Sequence, residues 1–210
     1  MLELAVAAGP IAVLLVVSEV LWRARYLRGE AARKLLHIII GSYVACWLYF
    51  LTFRQIELLS GAMLLGVIIS HKYHIFHAIT DVKRKTWGDI FYAIGLAGTA
   101  FIAKQPWVFA LAVLHMSFAD GLAGLVGSHY GNGNSYKIFG AVKSWAGTAT
   151  FWLVSLALFV VFGWQHPSEI MWPIILGMPL VLAGVENLGV YGTDNLAVPI
   201  LVALVANTLL

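Results

Sequence analysis

Five acidic residues lie inside or beside strongly apolar stretches of the chain, where a carboxylate is costly unless it is paired, hydrated or bound to a metal ion. They are Glu19, Asp89, Asp120, Glu186 and Asp194. Carboxylate and amide oxygens are the ligands that Mg²⁺ combines with the phosphates of a substrate. Glu186, Asp194 and Asn195 lie at the mouths of two neighbouring apolar stretches and are such oxygen ligands, and Asp120 is an acid within a third stretch.

Most of these acids also have a plainer interpretation. Glu19 can pair with Arg23 one helical turn away, and Asp89 can cap the helix that follows it. Asp194 or Asn195 can likewise cap the last helix. Because Asp120 lies deepest within its apolar stretch, the metal-binding interpretation is strongest there.

Basic residues gather at the start of the second apolar stretch. Arg33, His37 and Gly41 recur every four residues and so share one helix face, with Lys34 on the neighbouring stripe. This face offers positive charge to an anion next to a glycine that permits close approach. The alternative is a basic anchor at the membrane surface with a buried histidine.

A glycine-rich segment follows Asp120 and ends in Lys143, Ser144 and Thr148. Glycine-rich backbone can turn its N–H groups toward phosphate oxygens, to which the lysine and hydroxyls add a cation and further donors. The spacing matches neither a Walker A loop nor a dinucleotide fingerprint. The segment is predicted to be an anion-binding loop; the alternative is a flexible connector whose small residues allow close helix packing.

The composition excludes a soluble globular protein. The 210 residues are 61% hydrophobic and 11% charged, whereas about 25% are charged in an average globular domain. The formal net charge of +3 is too small to indicate a nucleic-acid partner. With Cys46 as its one cysteine, the chain can form neither an internal disulfide nor a cysteine metal knuckle.

Eight apolar stretches approach the roughly 20 residues that a helix needs to cross a bilayer. They are 4–22, 35–53, 56–70, 88–103, 106–128, 148–163, 170–188 and 196–210. None alternates like a barrel strand, so helices are predicted. The fold class is an all-α polytopic transmembrane bundle of 7 to 8 spans, because several stretches are short enough for two to form one re-entrant pair. Residues 1–210 form a single integral membrane domain.

In the eight-span arrangement, most lysines and arginines lie on the same side of the membrane. Arg54 and Lys104 lie in loops on one side, and the other eleven of the 13 lysines and arginines lie on the opposite side. The positive-inside rule then places the long loops and the five acids toward the cytoplasm. The first stretch lacks a basic leader and a cleavage site and is expected to be retained. The absence of a transit peptide favours a prokaryotic cytoplasmic membrane.

Five motifs follow one another along almost the whole chain. They are Arg33-Lys34-x-x-His37-x-x-x-Gly41; Thr86-Trp87-Gly88-Asp89 before Phe91-Tyr92; Asp120 with its trailing glycines; Lys143-Ser144-x-x-Gly147; and Glu186 with Asp194-Asn195-Leu196-x-x-Pro199. This order resembles the dolichol kinase, phytol kinase and CTP-dependent diacylglycerol kinase family of membrane enzymes, which is similar to phosphatidate cytidylyltransferases. The resemblance implies phosphoryl transfer from CTP to the hydroxyl of a membrane lipid alcohol, such as a polyprenol, phytol, farnesol or diacylglycerol, at the cytoplasmic face.

The resemblance also assigns roles to residues. Asp120, Lys143 and Asp194 are expected to be catalytic, with Mg²⁺ on the four oxygen ligands named above. The residues expected to bind the nucleotide are Arg33, Lys34, His37, Gly127, Gly131, Lys143, Ser144, Gly147 and Thr148. One position departs from the family, whose pattern commonly reads Lys-Ser/Thr-x-Glu-Gly, because Ala146 replaces the glutamate. The alternatives are a cytidylyltransferase-like synthesis of a CDP-lipid, a non-catalytic membrane protein or a small transporter.

Overall fold

A computed structural model describes residues 2–73, 75–77, 81, 86–165 and 172–209. Helices account for most of this part of the chain. They are Leu2–Arg23 (α1), Gly29–Val44 (α2), Phe53–Tyr73 (α3), Gly88–Ile102 (α4), Pro106–Leu114 (α5), Asp120–Tyr130 (α6), Trp145–Gln165 (α7), Trp172–Leu188 (α8) and Asp194–Ala206 (α9). The basic residues Lys83, Arg84 and Lys85, which contributed to the predicted sidedness, lie outside the described residues.

Two helical segments differ from regular α-helix. A π turn at His115–Ala119 joins α5 to α6, so that Pro106–Tyr130 forms one continuous rod. A 3₁₀ turn at Trp47–Tyr49 extends the rod of α2, and another at Asn207–Leu209 follows α9. Every residue from Val108 to Val113 is buried, and therefore the α5–α6 rod lies at the centre of the bundle.

The all-α membrane fold predicted from the sequence is confirmed at the level of its helices. Five described helices are long and apolar enough to cross a membrane: α1, Gly29–Tyr49, α3, Pro106–Tyr130 and α7. Three others, α4, α8 and α9, are apolar but shorter. Each predicted apolar stretch overlaps one of these eight rods, because a long apolar segment must satisfy its backbone hydrogen bonds within itself.

The sequence interpretation missed a small β-hairpin between α6 and α7. Ser135–Ile138 (β1) pairs antiparallel with Ala141–Ser144 (β2), and Phe139 and Gly140 form the turn with φ of +46° and +83°. Two positive φ angles are typical of a type I′ turn, which usually contains Asn-Gly or Asp-Gly. Phenylalanine gives no such signal, and each strand has four residues, too few for a clear alternation.

Alternate helix ends meet at the same end of the bundle. Lys34 of α2 contacts Asp120 of α6, and Lys143 of β2 contacts Glu186 of α8. We call this end, where the charged side chains meet, the polar end. At the opposite end, the Asn207 side-chain amide donates to the carbonyl of Ile102 at 2.8 Å. This antiparallel arrangement carries residues from distant parts of the sequence into one site.

Candidate active site

A cavity of about 1020 Å³ opens at the polar end. Its walls come from the start of α2, from α6, the hairpin and the start of α7, and from the facing ends of α8 and α9. Ten of the thirteen predicted site residues line it: Lys34, Asp120, Gly127, Gly131, Lys143, Ser144, Gly147, Thr148, Glu186 and Asp194. The fold therefore brings most of the predicted set to one place.

Three carboxylates from three helices form a cluster in this cavity. Asp120 begins α6, Glu186 lies near the end of α8, and Asp194 begins α9. One oxygen from each lies within 4.8 Å of the others. Asp120 and Glu186 are buried and Asp194 is half-buried. Three negative charges this close repel one another unless cations lie beside them, and their oxygen chemistry fits a hard divalent ion such as Mg²⁺.

Lys34 supplies the first of these cations. Its ammonium lies 2.5 Å from a carboxylate oxygen of Asp120 and 3.3 Å from the carbonyl of the same residue. Gly124, one turn along α6 from Asp120, leaves room for the lysine chain, because a methyl group there would overlap the chain near Cε. The pair is almost fully enclosed, with 5% of the Lys34 side chain and 8% of the Asp120 side chain exposed.

Lys143 supplies the second cation from strand β2. Its ammonium lies 2.5 Å from a carboxylate oxygen of Glu186 and 2.8 Å from the carbonyl of that residue. Burial by itself lowers the pKa of Lys143, but the negative charges of Glu186 and Asp194 outweigh it, so the pKa of Lys143 is raised. The three carboxylates and two ammonium groups together carry a formal charge of −3 + 2 = −1. A divalent cation would reverse that charge and favour a bound polyphosphate.

The first turn of α7 forms another wall of the cavity. Ser144 precedes the helix, and its hydroxyl accepts the N–H of Gly147 at 3.1 Å. Thr148 contacts the hydroxyl of Tyr136 at 2.5 Å and donates to the amide oxygen of Asn187 at 3.0 Å. The N-terminal end of a helix carries partial positive charge, which suits an anion beside Lys143.

Two glycines that were expected to bind the nucleotide, Gly127 and Gly147, lie within helices and pack those helices together. Gly127 lies within α6, Gly147 lies within α7, and Gly131 caps α6. A methyl group on Gly147 would lie 3.0 Å from the carbonyl of Ala123 and 3.4 Å from the Cα of Gly127. These glycines therefore allow α6 and α7 to touch, as the packing alternative anticipated, because small residues four apart form a smooth helix face.

Three predicted site residues do not line the cavity. Arg33 is buried and pairs with Glu30 at 2.5 Å. The side-chain amide of Asn195 donates to the carbonyl of Gly88 at 2.7 Å, which links α9 to α4. The side chain of His37 is enclosed behind Asp120, with 8% of it exposed. The structure places all three behind the cavity wall, where they hold neighbouring segments.

Two of the five acids also lie outside the cluster. Glu19 pairs with Arg23 at 2.9 Å, as the plainer interpretation predicted, and also with His77 at 3.0 Å. The carboxylate of Asp89 accepts a hydrogen bond from the following amide of Ile90 at 3.0 Å and contacts His71 at 2.5 Å. Their charges are therefore used in local polar contacts.

The sequence interpretation missed other residues of the cavity wall. Arg28, Glu30 and Asp81 line it, as do Phe139 and Val142 of the hairpin. In the sequence, Arg28, Glu30 and Asp81 are charged residues of predicted loops, which gives no indication of a site. Phe139 and Val142 belong to a segment that was also interpreted as a loop. A glycine at the start of α2 was the one sequence feature that could have indicated a turn at this part of the wall. In the structure Gly29 has a φ of +66°, which permits the sharp entry into the helix. Ala146, at the position where the family commonly has glutamate, is half-buried and does not line the cavity.

Comparison with known proteins adds one relative. Over 206 residues the chain is 32% identical to the phytol kinase of Synechocystis sp., an alignment that covers 95% of this chain and 88% of that protein. No protein-family model matches the chain. No solved structure matches it either.

Proposed function

Because the chain belongs to the phytol and polyprenol kinase family, we propose that it transfers the γ-phosphoryl group of CTP to the hydroxyl of a hydrophobic alcohol at the cytoplasmic membrane face. One observation carries the proposal: three carboxylates and two lysines from separate segments converge in one open cavity. Phosphoryl transfer depends mainly on positioning and charge neutralisation, which such a set supplies.

Asp120, Glu186 and Asp194 are the residues that would hold Mg²⁺, which neutralises charge on the transferring phosphates when bound. Lys34 pairs with Asp120, and Lys143 pairs with Glu186. Both ammonium groups lie beside the oxygens that would hold the ion, where they would also reach phosphate oxygens of a bound nucleotide. Each lysine would thus offset negative charge of the carboxylates and bind the nucleotide.

The reaction uses one polar substrate, the nucleotide, and one hydrophobic substrate, the lipid alcohol. The alcohol oxygen forms a bond to the γ-phosphorus of CTP while the bond from that phosphorus to the β–γ bridging oxygen breaks. The products are a lipid monophosphate and CDP, and the proton of the alcohol is released to water. Lys143, on the strand that leads into α7, is placed to neutralise charge on the polyphosphate as the bond breaks.

We infer that the lipid reaches the cavity past the hairpin. Phe139 and Val142 line the cavity, yet 80% of Phe139 and 67% of Val142 are exposed. Large exposed apolar side chains beside a charged cavity suit a substrate with a hydrophobic chain and a reactive polar end. Phe139 also has a positive φ, an uncommon conformation for a bulky residue and one that clusters at functional sites.

The membrane arrangement that we propose has eight crossings with the polar end in the cytoplasm. Basic residues of the described chain support it, because Arg23, Arg25, Arg28 and Lys137 lie toward the polar end while Arg54 and Lys104 lie toward the other. The shorter helices α4, α8 and α9 cross in this arrangement where the bilayer thins locally around them and their polar flanking residues lie at the interface.

Ala146 does not remove the proposed chemistry. It lies outside the cavity wall, and the carboxylate cluster is complete without a glutamate at that position. This supports an active enzyme over a non-catalytic membrane protein. The crowding of charged side chains at one end of the bundle also supports an enzyme over a small transporter, whose sites lie near the membrane midplane.

The test uses purified full-length protein in lipid nanodiscs with Mg²⁺ and CTP labelled on the α- or γ-phosphate. Acceptors are phytol, farnesol, a polyprenol and diacylglycerol, with ATP as an alternative donor. We expect label from the γ-phosphate in a lipid monophosphate, with CDP released. Label from the α-phosphate in the lipid, with pyrophosphate released, would instead identify a cytidylyltransferase.

Two variants connect the activity to the site. Asp120→Asn and Lys143→Ala should abolish transfer while the protein remains folded. Lys137→Ala is the matched control, because this lysine is exposed on the neighbouring strand of the same hairpin. No transfer to any acceptor, or full activity in both site variants, contradicts the proposed function.

A further inference from the structure

The π turn before Asp120 changes which backbone groups bond to one another. In an uninterrupted helix the N–H of Asp120 would donate to the carbonyl of Met116, four residues back. Here it donates to the carbonyls of His115 and Ser117 instead. The turn therefore takes the usual partner away from the Met116 carbonyl, and an unpaired carbonyl inside a membrane bundle is costly.

His37 of α2 provides the replacement partner. Its Nε2 lies 2.8 Å from the carbonyl oxygen of Met116. Because a carbonyl can only accept a hydrogen bond, Nε2 carries the hydrogen in this contact. The same nitrogen lies 3.5 Å from a carboxylate oxygen of Asp120. One side of the imidazole thus faces both the π turn and the carboxylate that follows it.

The surroundings fix His37 in this position. Its ring meets the ring of Tyr92 edge-on at 4.9 Å. One helical turn further along α2, Gly41 lies directly on the π turn, because a methyl group there would overlap the side chain of Ser117. The side chain of His37 is 8% exposed and lies behind Asp120, which lines the cavity.

The π turn determines which way Asp120 points. One inserted residue rotates everything after it by about 100° relative to a regular helix, because each residue advances the helix by that angle. With the turn in place, Asp120 reaches Lys34 and the carboxylates of Glu186 and Asp194. Without it, the carboxylate would point away from this cluster.

We propose that His37 is a positioning residue that stabilises the π turn and thereby holds Asp120 in the carboxylate cluster. The part of this inference that concerns metal binding by the cluster rests on the proposed function. It reassigns His37 from the nucleotide-binding role that the sequence motif implied. It also gives a reason for the i, i+4 spacing of His37 and Gly41, since both contact the π turn.

The test compares His37→Leu, which removes the donor, with His37→Gln, whose amide N–H extends to about the position of Nε2. The first measurement is Mn²⁺ binding to each purified variant without nucleotide, followed by electron paramagnetic resonance. We expect the leucine variant to bind Mn²⁺ at least tenfold more weakly and the glutamine variant to recover most of the affinity. His129→Leu, at an exposed position near the end of α6, is the control.

Kinetics separate positioning from nucleotide binding. His37→Leu should lower kcat at least tenfold with the KM for CTP changed less than twofold, because the side chain does not face the nucleotide. A raised KM for CTP with unchanged Mn²⁺ affinity would return His37 to the nucleotide site and overturn the proposal. Wild-type Mn²⁺ affinity in a folded leucine variant would overturn it as well.

A metal-independent measurement keeps the inference separate from the proposed function. In EDTA, a double-mutant cycle of Lys34→Met and Asp120→Asn gives the coupling between the two side chains as a ratio of unfolding constants. We expect the coupling ratio between Lys34 and Asp120 to be at least tenfold smaller in the His37→Leu protein than in the wild type. In the His37→Gln protein the ratio should be close to the wild-type value. If the wild type binds no Mn²⁺, the metal site fails, and the cycle still decides the role of His37: an unchanged ratio overturns it.

Discussion

Replacing Lys34 by methionine tests whether the lysine and a divalent ion serve the same carboxylate. Methionine has similar length and no charge, so Asp120 loses its cation while the packing is nearly kept. The pair lies 2.5 Å apart with 5% and 8% of the side chains exposed. We therefore expect the substitution to destabilise the metal-free protein strongly and to make its stability depend on metal.

The magnitude follows from the burial of the pair. Removing one partner of a buried ion pair costs about 3–5 kcal/mol, because the other charge stays uncompensated. The lower end applies to Asp120, since His37 lies 3.5 Å from it and the cavity is open to water. A loss of about 3 kcal/mol raises the unfolding constant by more than a hundredfold. A ligand at 100 times its Kd stabilises by about 2.7 kcal/mol, which nearly restores this loss.

The assay is reversible unfolding in mixed micelles, followed by tryptophan fluorescence, in EDTA and in saturating Mg²⁺. Mg²⁺ should stabilise Lys34→Met more than the wild type, because the lysine no longer competes for Asp120. Adding Asp120→Asn to this variant should remove most of both effects, and Lys137→Met should show neither. A change in the unfolding constant below about threefold in EDTA, or equal stabilisation of wild type and variant by Mg²⁺, would refute this reasoning.

Three further predictions concern the cavity wall. Lys143→Met should abolish phosphoryl transfer without weakening Mn²⁺ binding, because the lysine competes with the metal for Glu186; weaker Mn²⁺ binding would contradict its competing role. Gly124→Ala should lower kcat by roughly 10- to 100-fold in steady-state assays, since the added methyl pushes Lys34 off its partner and misplacement by about 1 Å is that costly; unchanged kcat would mean that the lysine chain has another route. Phe139→Asp should raise the KM for the lipid alcohol about tenfold with the KM for CTP unchanged, and an equal rise in both would exclude a specific contact with the lipid.

The family and the membrane fold were predictable because they depend on features that a linear sequence carries. Mean hydropathy and segment length predict helices without knowledge of their neighbours, and the order of five motifs along the chain indicated the family to which it belongs. The meeting of Asp120, Lys143 and Asp194 also followed from an antiparallel arrangement, in which alternate helix ends lie on the same side.

The details of the site were less predictable because they depend on contacts between distant residues. Lys34 and Asp120 are separated by 86 positions, and Lys143 and Glu186 by 43. Glu19 pairs with Arg23, as the spacing of four residues predicted, but its second partner, His77, is 58 positions away and could not be predicted. The hairpin was missed because the first residue of its turn is Phe139, which rarely adopts positive φ, where Asn or Asp would be usual before Gly140.

The sequence by itself determined that this protein is a helical membrane protein of the phytol and polyprenol kinase family, because apolar length and motif order are local properties of the chain. The tertiary structure alone decided which acids share a site and which lysines pair with Asp120 and Glu186. It also decided that His37 lies behind Asp120 and does not face the cavity. The physical reason is that a π turn within a continuous apolar rod rotates one carboxylate into a cluster, and the hydrogen bond that stabilises this turn comes from another helix.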